Sequence, residues 1–70
     1  MAVSYNKLWK ILIDRNMSKA DLRKKASIAP NTMTKMNKGE EVSMTILSKI
    51  CKTLGTDYGD IVEYIDDENK

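Results

Sequence analysis

The chain of 70 residues contains no histidine, one cysteine, one proline and three glycines. The lone Cys51 excludes an intramolecular disulfide, and without histidine the usual zinc ligand set cannot be assembled. No Ser–His or Cys–His pair can form, and no glycine-rich phosphate loop occurs. The acidic residues fall mostly at helix starts or in the tail. An enzyme is therefore not expected, and no metal or cofactor is implied. No apolar run approaches the roughly 18 residues of a membrane span, and no basic-then-apolar leader precedes a small-residue cleavage site. The expectation is a soluble cytoplasmic protein with no membrane partner and no evident small-molecule substrate. Repeats, low-complexity tracts and sustained strand alternation are also missing. One domain fits this length, and so short a chain buries only roughly 60% of its unfolded surface, which makes association a route to stability.

What is present is charge, unevenly spread. Residues 1–38 carry nine lysines and arginines against Asp14 and Asp21, whereas residues 39–70 carry three lysines against eight acids. The net charge of +2 conceals this split. A basic half beside an acidic half predicts one face drawn to a polyanion and another held away from it.

The basic half coincides with the most informative stretch, residues 17–40. Ser18 stands three residues before Asp21, a capping-box spacing just ahead of Leu22. Leu22 and Ala26 share one helical face. After Ser27-Ile28-Ala29 a second helix starts at Pro30, presents Met33 and Met36 on one face, and stops at Gly39. Two helices joined by so short a turn predict a helix-turn-helix, whose second helix commonly lies in the major groove of DNA.

Three further helices complete the reading. The first spans about Tyr5–Arg15, with Tyr5, Leu8, Trp9 and Leu12 clustered on a face that Ile11 and Ile13 widen. The second and third cover about Lys19–Ala26 and Pro30–Asn37. A fourth follows the N-cap Ser43 and ends at Gly55, with Leu47, Ile50 and Leu54 on one face. The fifth starts at Asp57, with Asp60 three residues on, and runs through Ile61, Val62 and Ile65. The predicted core is Leu8, Leu12, Leu22, Ala26, Ile28, Met33, Met36, Leu47, Ile50, Leu54 and Ile61. Met17 and Met44 are expected to fill core gaps with the other methionines, and Cys51 to be a buried thiol. Asp66 to Lys70 form an acidic tail expected to fray.

With Leu22, Ala26, Ile28, Met33 and Met36 at the apolar positions, and Asn37-Lys38-Gly39 closing them, the chain resembles the Cro/CI-type (Xre-like) helix-turn-helix regulators. Leu47 to Gly55 looks like that family's next helix, and Asp57 to Ile61 like its last. The resemblance implies an all-α, compact five-helix, lambda-repressor-like DNA-binding domain over residues 1–65, with residues 66–70 as tail. Arg23, Ser27 and Ala29 depart from the family pattern, which has a small residue, glycine, and serine or threonine there. A left-handed Ser27 costs roughly 1 kcal/mol relative to glycine. Ala29 forgoes a side-chain cap worth roughly 0.5–2 kcal/mol.

The functional residues follow from the motif. Asn31, Thr32, Thr34 and Lys35 are expected to meet bases, since asparagine pairs bidentately with adenine and lysine reaches guanine. Lys19, in the first turn of its helix, matches a position where family members meet the phosphate backbone. Ser18, Lys38 and Ser43 are the other expected backbone contacts. Val62, Tyr64 and Ile65, with Trp9, offer more apolar surface than a short last helix must bury, which predicts a homodimer interface. The resulting expectation is a sequence-specific, double-stranded DNA-binding transcriptional regulator that represses by occupying an operator. The alternative is a protein-interaction module using the basic helices or the apolar face of the first and fifth helices.

Overall fold

The computed structural model describes residues 2–65. Five helices run in order, α1 (Asn6–Asp14), α2 (Lys19–Ala26), α3 (Pro30–Asn37), α4 (Met44–Leu54) and α5 (Tyr58–Ile61). Two three-residue strands flank them, β1 (Ala2–Ser4) and β2 (Glu63–Ile65). The acidic tail read at 66–70 lies outside the described residues.

All four longer helices stop by one device. Asn16, Ser27, Gly39 and Gly55 take positive φ, at 55°, 57°, 76° and 68°. The next residue's amide then closes back on the helix: Met17 N–H to Leu12 O at 2.8 Å, Ile28 to Arg23 at 2.9 Å, Glu40 to Lys35 at 2.9 Å, and Thr56 to Cys51 at 3.1 Å. Each closure satisfies a carbonyl that would otherwise lack a partner. Side chains cap the starts of α2, α4 and α5. Ser18 and Asp57 form capping boxes with Asp21 and Asp60, and the Ser43 hydroxyl accepts from Ile46 N–H at 3.3 Å.

Every residue of the predicted core is buried, and Tyr5 joins it at 3% exposure. α2 packs on α4 and α1 on α5, so the helix-turn-helix rests on the rest of the bundle. Met17 and Cys51 are half-buried against the core, but Met44 is 58% exposed and does not fill it. Met44 opens α4 immediately after its cap.

The chain beyond Ile61 differs from the predicted helix. α5 lasts only four residues, and Val62 is extended at φ −135°, ψ 147°. β2 then pairs antiparallel with β1, Val3 opposite Tyr64. The spacing of Ile61, Val62 and Ile65 suited a helix, yet β-branched and aromatic residues also suit a strand. The ladder partner lies some 60 residues away in sequence, beyond any local window. The five helices are thus joined by a two-stranded ribbon uniting the two ends of the described chain.

Candidate nucleic-acid interface

The capping box fixes the start of α2. Asp21 N–H donates to Ser18 Oγ, and Ser18 N–H to Asp21 Oδ2, both at 3.0 Å. Hydrogen bonds from the Ser18 backbone and side chain, with smaller help from Lys25 and Lys24, hold the Asp21 carboxyl below its ordinary pKa. The left-handed Ser27 then turns the chain, and Ile28, buried at 2% exposure, anchors the turn.

α3 begins without a side-chain cap, since its N-cap is Ala29, but with Pro30 in its first turn. Ala29 O accepts from Thr32 and Met33 N–H at 3.1 and 3.2 Å. Met33 and Met36, at 6% and 1% exposure, seat one face of the helix in the core. Helical spacing puts Asn31, Thr34, Lys35 and Lys38 on the exposed side, with Thr32 half-buried. Thr34 spends its hydroxyl proton on Pro30 O at 3.1 Å, leaving only acceptor capacity for a partner. Thr32 and Lys35 share an open groove with Glu41, Val42 and Ser43, the last residues before α4.

Lys19 is the most constrained of the predicted backbone contacts. Its ammonium donates to Asn37 Oδ1 at 2.8 Å and lies 4.1 Å from the ring centroid of Trp9. The sequence gives no sign of this role for Asn37, because a pairing across 18 residues leaves no local trace. Ser18 serves as the cap of α2, as Ser43 does for α4. Lys38 is exposed, and beside it Asn37, Trp9 and residues of β1 line a second depression. The residues thus fall into two sets, one around Thr32, Lys35 and Ser43 and one around Lys19, Asn37 and Lys38. Asn31 and Thr34 stand on the exposed side of α3.

The four residues predicted for the dimer interface divide differently. Tyr64 and Ile65 are exposed on β2, at 64% and 38%, while Val62 is half-buried against the core. Trp9 is half-buried, its ring turned to Lys19 and to Tyr5.

The charge split along the sequence does not become two separate faces. Glu41 lines the groove of Lys35, and Lys49 and Lys52 line a depression shared with Lys25. Packing of α4 on α2 brings lysines of the acidic half against the basic half.

A family model described as the Cro/C1-type HTH DNA-binding domain matches residues 7–67. Among solved structures, the chain is similar to the transcriptional regulator VanUg (crystal form II), with a TM-score of 0.91 and 48% sequence identity. That match covers 94% of this chain and 88% of the other. No curated protein matches.

Proposed function

This chain belongs to the Cro/C1-type helix-turn-helix DNA-binding family, and on that premise we propose that it is a transcriptional regulator that represses by occupying an operator. The observation that carries the reading is the exposed side of α3. With Met33 and Met36 locked in the core, Asn31 and Lys35 face outward on a helix that cannot rotate. A fixed helix bearing a bidentate amide and a lysine suits base edges in the major groove. Lys19, Lys38 and Ser43 flank it and suit phosphates. The DNA-binding unit is residues 1–65.

One such helix makes few contacts, so two copies act together on half-sites about 34–36 Å apart. VanUg, 48% identical, is described as a transcriptional regulator, which favours the same role here. Selection of bound sequences from a random duplex pool tests the reading. It should enrich a pseudo-palindrome whose half-sites lie one helical turn apart, bound with an affinity that falls steeply as salt rises. Failure to enrich any sequence, or binding to an acidic protein that duplex DNA does not displace, would replace it with an interaction module.

A further inference from the structure

Trp9 is the chain's sole tryptophan, and it is not consumed by the core. It is half-buried on α1, and its ring meets that of the buried Tyr5 at 6.2 Å between centroids and a 54° tilt. The Lys19 ammonium lies 4.1 Å from its centroid and bonds Asn37 Oδ1 at the same time. Three elements therefore converge on one charge: α1 through Trp9, α2 through Lys19 and α3 through Asn37.

That arrangement suits a cation that must be ready for an anion. A free lysine side chain loses rotamer entropy when a partner immobilises it. Here much of the ordering precedes binding. The amide oxygen takes one of three ammonium protons, and an aromatic face attracts the cation without neutralising it. Charge and donors both remain for a phosphate oxygen. A tryptophan placed only to cover the core would not need a lysine head at its ring, nor an amide aligned to the same ammonium.

We propose that Trp9 is a positioning residue for DNA binding, holding the Lys19 ammonium, with Asn37, where it meets a backbone phosphate. The inference rests on the DNA-binding reading above and adds a residue of α1 to it. A cation–π contact at an exposed site corresponds to about a two- to fivefold effect on affinity.

Dissociation constants on the selected duplex across a salt series, for wild type, W9L, W9F, K19A and W9L/K19A, test it. W9L should weaken binding about two- to fivefold and flatten the salt slope toward that of K19A, whose own slope falls by about one. W9F, which keeps an aromatic face, should recover most of the loss. In the K19A background, W9L should add nothing. Equal effects of W9L in both backgrounds, or no effect while Lys19 is present, overturn the proposal. Should W9L fail to fold, proton chemical shifts of wild type decide: Lys19 ε-methylene protons displaced upfield by the indole support it, and undisplaced ones overturn it. Wild type that binds no duplex overturns the DNA reading itself, a result distinct from binding that W9L leaves intact.

Discussion

The Tyr5 hydroxyl donates a 2.7 Å hydrogen bond to the backbone carbonyl of Glu40, across 35 residues. Tyr5 precedes α1, and Glu40 belongs to the connection that leaves α3. One bond therefore ties the first helix to the exit of the helix that would enter the groove. Lys7 Nζ adds a second long tie, to Gly59 O at 3.2 Å, between α1 and α5.

Tyr5→Phe removes that bond without altering the ring that fills the core. It should cost about 0.5–1.5 kcal/mol in urea unfolding near neutral pH. Burial, with a smaller contribution from the negative charge of Glu41, raises the Tyr5 pKa above its ordinary value. A folded-state pKa above the unfolded one means that ionisation favours unfolding. Stability is thus intact below about pH 10 and lost as pH climbs through the folded value. The loss should be smaller in Tyr5→Phe, while Tyr58 and Tyr64 remain in both proteins as an internal reference. An identical alkaline limb in the two proteins would show that the hydroxyl is not held as described.

Ser27→Gly should stabilise the protein by about 1 kcal/mol, because Ser27 holds φ 57° at the end of α2. Asn16→Gly, at φ 55°, should gain less, since asparagine tolerates the left-handed region better. A higher urea midpoint at unchanged slope is the measurement. No gain for Ser27→Gly would mean that its hydroxyl or the unfolded chain offsets the backbone strain.

These termini also mark how far the sequence could be read. Gly39 and Gly55 announce their helix ends by residue type, and Ser27 is recognisable through its place in the turn. Asn16 ends α1 in the same geometry and carries a weaker signal of the same kind, since asparagine is the commonest alternative to glycine there. The core was legible because apolar spacing within one helix decides it, as at Leu47, Ile50 and Leu54. Tyr5 reads from sequence as part of the first helix; it occupies the N-cap position and is buried in the core. The ribbon was not legible, since Val3 and Tyr64 pair across nearly the whole length of the chain and leave no local pattern. Pairs that join distant elements, such as Lys19 with Asn37, are likewise products of the fold. The outward face of α3 was legible for the opposite reason: once Met33 and Met36 point in, helical geometry alone sends Asn31 and Lys35 out.

On DNA, Asn31→Ala should cost about 1–3 kcal/mol on the selected site and little on random duplex. Thr34→Ala should cost less, because its hydroxyl proton is already spent on Pro30 O. Lys38→Ala should weaken specific and random binding alike and lower the salt slope by about one. Competition titrations with both duplexes separate the two patterns. Equal losses on both duplexes for Asn31→Ala would remove it from the readers of sequence.

The second copy needed for a two-fold operator should dock through β2. Tyr64 is 64% and Ile65 38% exposed on a strand three residues long, which with β1 makes a ribbon of two strands among the described residues. Large apolar side chains left in water on such a ribbon are favourable to cover, and covering them adds stability that a small domain lacks. Val62 leans on the core, so replacing it would confound folding with association. Tyr64→Asp is the cleaner change. It should shift sedimentation toward the monomer while leaving helicity and the thermal midpoint of the monomer nearly unchanged. On a palindromic duplex it should lower the steepness of binding more than it lowers affinity for a single half-site. A Tyr64→Asp protein that still binds in pairs would move the interface to another exposed apolar residue, and Ile13 on α1, at 73% exposure, is the first to test.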